Sequence, residues 1–229
     1  MCLTRKRAFP ILVEHCDQNG EPMGNQFAEI AFTPSVREVQ ESLGSRKAYA
    51  QMAQGEDRNQ ELGAQETAFI AARDSFYMAS VSETGWPYVQ HRGGPQGFLK
   101  VLAPKTIGFA DYRGNRQYVS VGNLSQDDRV ALILMDYPNR ARLKVLGHAR
   151  IVAADESKLL EALDTPRYGA RVERGFVINV AAFDWNCPQH ITPRFTEAEV
   201  ESVIGTLKAR LTDLEKELRD CTGPGASHT

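Results

Sequence analysis

Three short segments concentrate side chains that can do chemistry. The first is Asp111-Tyr112-Arg113-Gly114-Asn115-Arg116-Gln117-Tyr118-Val119-Ser120. A β-rich run ends there at a glycine turn, and the pattern predicts a helix over about 115–124 with Asn115 as its N-cap. A helix start exposes free backbone N–H groups and disfavours a cation. Arg116 in that place makes sense if it meets an anion, because a phosphate would satisfy both the N–H groups and the guanidinium. The competing reading is a solvent-facing arginine in an ordinary turn.

The second segment is Pro87-Tyr88-Val89-Gln90-His91-Arg92-Gly93-Gly94. Strand alternation puts Gln90 and Arg92 on one face and His91 on the other. The glycines that follow permit close approach of a ligand to the backbone, although an exposed hairpin would look the same. The third segment, Asp184-Trp185-Asn186-Cys187-Pro188-Gln189-His190-Ile191-Thr192-Pro193-Arg194, mixes indole, amide, thiol, imidazole and guanidinium groups in one loop. An indole stacks on planar rings, and amides read the hydrogen-bonding edge of a heterocycle.

Metal chemistry finds no footing. The five histidines are scattered, and Cys2, Cys16, Cys187 and Cys221 form no Cys-x-x-Cys pair. Four free thiols are expected in a chain of 229 residues. No Ser-His-Asp order emerges either. The net charge of −2 gives no global field for nucleic acid. No apolar run approaches the roughly 20 residues of a membrane-spanning helix, and the basic start at Arg5-Lys6-Arg7 lacks a secretory core segment. A cytoplasmic protein is expected.

The elements that must position these groups change character along the chain. Residues 1–33 show no sustained period. A Ser35-x-x-Glu38 capping box predicts a helix over about 35–53, and a second helix is expected over 61–73. Strands then follow over 76–81, 87–92, 98–102, 106–111, 130–136, 143–152 and 176–183, joined by Gly/Pro turns. A short helix over 155–163 would be capped by Asp155. Thr196-x-x-Glu199 opens a helix over about 197–219, whose apolar residues recur in steps of three and four. Short antiparallel strands at close spacing argue for a small barrel. The expected organisation is an N-terminal helical extension (1–60), a barrel domain (61–195), an amphipathic helix (196–220) and a tail (221–229). The stripe of the last helix is expected to contribute to a subunit contact.

At these segments the sequence resembles the FMN-binding split-barrel family that includes pyridoxamine 5′-phosphate oxidase. The resemblance rests on the run 76–81, Gly85-Trp86-Pro87-Tyr88, the run 106–111, Asn115-Arg116-Gln117 and Arg129-Val130-Ala131-Leu132-Ile133-Leu134. It covers roughly residues 68–153, and Trp-Asn-Cys-Pro-Gln-His-Ile at 185–191 is similar to the motif of an oxidase-related subgroup. The resemblance implies a mainly β fold with added helices, built on a six-stranded antiparallel split β-barrel. It implies a homodimer with FMN (flavin mononucleotide) between the subunits. Arg116 and the helix start at Asn115 would hold the phosphate, with Gln117 and Ser120 in support and Arg92 or Lys100 completing the charge. The isoalloxazine would run along Val89, Gln90 and His91 and along Phe109, Ala110 and Asp111. Arg142 and the Trp185 loop, with Gln189 and Arg194, would come from the partner subunit.

The sequence departs from the family pattern in four ways, two of them being Gln90 near where the family usually has arginine and N-terminal helices outside the core pattern. The family's basic pair is Arg116-Gln117 here, and the oxidase's own substrate-binding C-terminus is absent, so vitamin B6 oxidation is not expected. The expected activity is an FMN-dependent oxidoreductase acting on a small molecule, with His190 or His91 as the group that handles a proton. A flavin binder without turnover, or the same barrel holding the deazaflavin F420 or haem, is the alternative.

Overall fold

The computed structural model describes residues 25–50, 59–153, 155–165, 168–185 and 187–222. These form two units. One comprises the residues up to Met135 together with Arg142–Cys187, and the other Asp136–Ala141 with Pro188 onward. The sheet belongs almost wholly to the first. Its strands are β1 (Ser75–Val81), β2 (Pro87–Gly93), β3 (Lys100–Ala103), β4 (Thr106–Tyr112), β5 (Arg129–Asp136), β6 (Ala141–Val152) and β7 (Val172–Trp185), in the spatial order β2-β1-β5-β6-β7-β4-β3. The sheet is antiparallel, mainly β and not closed by backbone pairing, as a split barrel requires. The count is seven rather than six because β3, only four residues long, pairs with β4 along one edge.

Alternation decides which side chains meet inside the barrel. Phe76 and Met78 of β1 are buried with Ile107 and Phe109 of β4, Leu132 and Leu134 of β5, Leu143 and Val145 of β6, and Phe176 and Ile178 of β7. Phe109 and Phe176 stack at 4.9 Å, and Phe76 meets Phe109 edge-on at 5.2 Å. These rings form an aromatic column in the interior. Burying each such side chain stabilises the barrel by about 1.5–3 kcal/mol.

Helices plug and brace this frame. The helix α4 (Ala64–Ala71) buries Ile70, and its first turn is tied by the Gly63 N–H donating to Glu66. The helix α6 (Ser157–Leu163) buries Leu163 against Gly108 and Gly175, where a Cβ at either glycine would approach Leu163 to 2.7 and 2.6 Å. The expected N-cap at Asp155 is not used, and Glu156 holds that position without a side-chain cap.

Three expectations about helices are corrected. The helix expected over 35–53 is two helices, α2 (Pro34–Ser42) and α3 (Arg46–Ala50), because Gly44 at φ +74° turns the chain between them; residues 51–53 lie outside the described residues. A six-residue helix, α1 (Gln26–Ala31), capped by Asn25, occupies a stretch that shows no period and packs on β7. The helix after β4, α5 (Val119–Leu124), begins four residues later than expected. Arg116 and Tyr118 sit in the left-handed region at φ +63° and +54°, which keeps the chain out of the helix until Val119. In the second unit, α7 (Glu197–Thr222) has the expected Thr196–Glu199 capping box.

Candidate functional site

The side chains of β2, β4, α5 and the start of β7 meet around one cleft of about 250 Å³. Its lining includes Gln90, Arg92, Asp111, Tyr112, Asn115, Arg116, Tyr118, Ser120 and Glu173. The strands explain why. On β2 the side chains of Gln90 and Arg92 turn to the interior face, as alternation requires. On β4, Asp111 is the last buried position before the chain leaves the sheet. On β7, Glu173 and Arg174 precede the apolar run, and Asp111 is paired with Arg174 in the register.

The cleft is built on charge. Arg92 donates to Asp111 Oδ1 at 2.5 Å, with both side chains about nine-tenths buried. Arg174 Nε lies 3.4 Å from the other oxygen of Asp111 and reaches Glu173 at 3.1 Å. Arg113 stands 3.6 Å from Glu173. Arg116 Nε donates to the Tyr118 hydroxyl, which in turn donates to Glu173. Arg92, Arg113, Arg116 and Arg174 against Asp111 and Glu173 leave two positive charges over.

Burial opposes ionisation of the central pair. Desolvation pushes the Arg92 guanidinium below its ordinary value against the pull of Asp111. Desolvation likewise raises the Asp111 carboxyl, although Arg92 and Arg174 pull it down. Arg116, by contrast, is exposed and held above its ordinary value by the hydrogen bond to Tyr118.

Among the described residues, two buried donors at this place lack an acceptor, Arg92 Nε and the Tyr112 hydroxyl, while Arg174 Nε has only its 3.4 Å ion contact with Asp111. Buried polar groups are nearly always satisfied, and exceptions in a cleft point to a missing partner. Ser120 is buried and donates to Gln90 Oε1 at 3.0 Å, so the amide is fixed with its nitrogen turned elsewhere. Such a cleft can take an anionic group with several acceptor oxygens.

The structure therefore gathers Gln90, Arg92, Asp111, Asn115, Arg116 and Ser120 of the expected set. Gln117 is exposed in the same loop, where its N–H donates to Asn115. Asn115 thus closes a turn and does not cap the helix. The remaining residues lie elsewhere. Phe109 and Ala110 are packed in apolar clusters. Lys100 donates to the Asp164 carbonyl at 2.6 Å. Val89 is on the outer face of the sheet with Tyr77, Ala79, Ala131 and Ile133, and His91 meets Tyr77 edge-on at 5.4 Å. Arg142 is half-buried, with its Nε unmatched. Trp185 donates to Glu66 at 2.7 Å and packs edge-on against Phe69.

Gln189, His190 and Arg194 belong to the second unit, where Arg194 lies over the Tyr137 ring at 4.9 Å. Cys187 is an exposed free thiol. Asn186, Cys2 and Cys16 lie outside the described residues. No group of three metal-ligating side chains occurs among the described residues, and none of the described helices is long and apolar enough to cross a membrane.

Sequence reasoning passed over Tyr112, Tyr118, Glu173 and Arg174. The last two carried a signal: Glu173 and Arg174 are charged residues standing just before the apolar run Phe176-Val177-Ile178.

The pyridoxamine 5′-phosphate oxidase family model matches residues 62–185, which hold all seven strands and the whole cleft. The chain belongs to the pyridoxamine 5′-phosphate oxidase family. A search of curated proteins finds no match. Among solved structures, the chain is similar to HupZ of Group A Streptococcus at 13% identity, covering 58% of this chain and 100% of that one, with a TM-score of 0.44. It is also similar to an FMN-binding protein from Syntrophomonas wolfei subsp. wolfei (12%, 67% and 95%, TM-score 0.39). An F420 reductase is a third such neighbour (19%, 54% and 98%, TM-score 0.38).

Proposed function

We propose that this chain is an FMN-binding flavoprotein that acts as an FMN-dependent oxidoreductase on a small molecule. Membership of the pyridoxamine 5′-phosphate oxidase family supports a flavin. The observation that carries FMN in particular is the cluster of four arginines around Asp111 and Glu173, with two buried donors, Arg92 Nε and the Tyr112 hydroxyl, lacking an acceptor among the described residues. Two surplus positive charges suit a phosphate dianion. Arg116 and Asn115, with Gln117 beside them, would hold the phosphate from the loop. Ser120 would support it by holding Gln90, and Arg92 would supply charge from the barrel side. The neutral Gln117 in the second position of the family's basic pair is then compensated by Arg174, which comes from β7.

A bound flavin would supply hydride transfer at its N5, and the protein would supply position and electrostatics. The cleft of about 250 Å³ is below the ~300–1,000 Å³ of a complete small-molecule pocket. This supports a site completed by a second subunit, hence a homodimer, with the outer face around Val89, His91 and Tyr77 turned to the rest of the ligand. Arg142, Trp185, Gln189 and Arg194 remain the residues proposed to reach the site from the partner. His91 and His190 are both exposed, and each is available to exchange a proton with a bound substrate. We place the protein in the cytoplasm.

The test is the absorption spectrum of the protein as purified, with the released cofactor identified by mass. Twin flavin bands and the mass of FMN are expected. A Soret band, the mass of F420, or a colourless protein that takes up no flavin on soaking would overturn the reading. Turnover is tested separately, with NADH or NADPH and a quinone or dye acceptor. A rate no higher than that of free FMN would make the protein a flavin binder.

A further inference from the structure

The helix α7 carries an apolar seam that the proposed cofactor chemistry does not use. Val200, Ile204, Leu207, Leu211, Leu214 and Leu218 follow one another in steps of four, three, four, three and four. That is a strict seven-residue repeat, with Ile204, Leu211 and Leu218 at one core position (a) and Val200, Leu207 and Leu214 at the other (d). A helix that packs on a globular face carries a broader apolar stripe, whereas a narrow seam with a 3.5-residue period matches a second helix wound around it. Leu207 and Leu211 are 63% and 57% exposed. A helix of 26 residues is about 39 Å long, which is ample for the six core layers these residues would form in a two-stranded coil.

The charges beside the seam say what the second helix is. The flanking g positions are Val203, Arg210 and Glu217, and the e positions are Glu201, Lys208 and Glu215. In a parallel, in-register pair of this same helix, each g residue faces the e residue five places on in the other copy. Val203 then lies over the Lys208 stem, and Arg210 faces Glu215. No like charges meet. Full-length antiparallel pairing would set Lys208 against Lys208 and Arg210 against Arg210. Within one copy, Arg210 reaches Glu217 at 3.9 Å along the same flank, so the guanidinium already lies beside the seam. Ile204 at a followed by Leu207 at d is the β-branched-a, leucine-d combination that favours two strands.

We propose that α7 pairs with α7 of a second copy of this chain as a parallel two-stranded coiled coil, with Arg210 reading Glu215 across the seam. The pairing does not depend on which cofactor the barrel holds, or on whether it holds one.

Hydrogen exchange on the full-length protein tests this. Amides over 204–218 are expected to exchange more than about tenfold more slowly than in the double variant Leu207→Glu/Leu214→Glu. The β-strand amides serve as the folding control and should not change, since both exchanged residues are exposed. Arg210→Glu should reduce the protection roughly two- to fivefold, the scale of one exposed ion pair, and Arg210→Glu/Glu215→Arg should restore it. A helix unprotected in the wild type, protection that survives the double variant, or a charge swap that restores nothing would each overturn the proposal.

Discussion

Asp111 is the residue on which the cleft turns. It pairs with both Arg92 and Arg174, one through each oxygen, and burial raises its carboxyl above the ordinary value. In the window between the unfolded value near 3.9 and that raised value, the native state binds more protons than the unfolded chain. Stability contributed by this group therefore falls as pH rises through the window. Asp184 is raised by burial as well, and contributes in the same direction. Asp111→Asn should flatten the slope of unfolding free energy above about pH 4, measured by urea melts. A slope identical to wild type would show that Asp111 does not titrate there. The same substitution removes the partner of two arginines, so it should lower stability at pH 7 while strengthening anion binding. Arg116 stands outside this pair, exposed and tied to the Tyr118 hydroxyl. Arg116→Ala should weaken FMN binding roughly ten- to hundredfold, the scale of one charge-assisted hydrogen bond, by fluorescence titration. Unaltered affinity would move the anchor to Arg92 and Arg174.

The elements owe their positions to a few close approaches. Gly147 sits at the register shift between β6 and β7, and a Cβ there would stand 2.5 Å from the Asn179 carbonyl oxygen. Gly147→Ala should cost about 1–3 kcal/mol, read as a lowered urea midpoint with an unchanged m-value. This bulge was not legible in the sequence, because a lone glycine in an alternating strand can mark a bulge or nothing. The strands were legible because period two and Gly/Pro turns are strong local signals, and every expected strand overlaps an observed one. The start of α5 was not. Asn115 looks like a cap, yet two non-glycine residues in left-handed geometry, Arg116 and Tyr118, delay the helix, and no residue type announces that. The half of the cleft built by β2 and β4 could be read from polar residues on barrel strands. The half built by Glu173 and Arg174 could not be placed, because it depends on β7 lying beside β4, a pairing between residues more than 60 positions apart.

At the scale of the whole molecule, ligand and stability should be coupled. A ligand that binds only the folded state at a hundredfold excess over its Kd stabilises by about 2.7 kcal/mol. For a chain of this size that is a rise in Tm of roughly 5–10 °C. FMN should produce it, and riboflavin, which lacks the phosphate, should produce markedly less. Equal shifts with the two would take the arginine cluster out of the binding site. The barrel also has a seam of its own. Among the described strands, β2 bonds through its backbone to β1 alone, and toward β4 and β7 it reaches with side chains, chiefly Arg92 over the Phe109 and Phe176 rings and onto Asp111. This fastening is a clasp rather than a weld. A phosphate that drew Arg92 toward itself would be tugging on the pin of that clasp, so the grip on the guest and the closure of the wall cannot be set independently. Evolution could loosen or tighten the two only together.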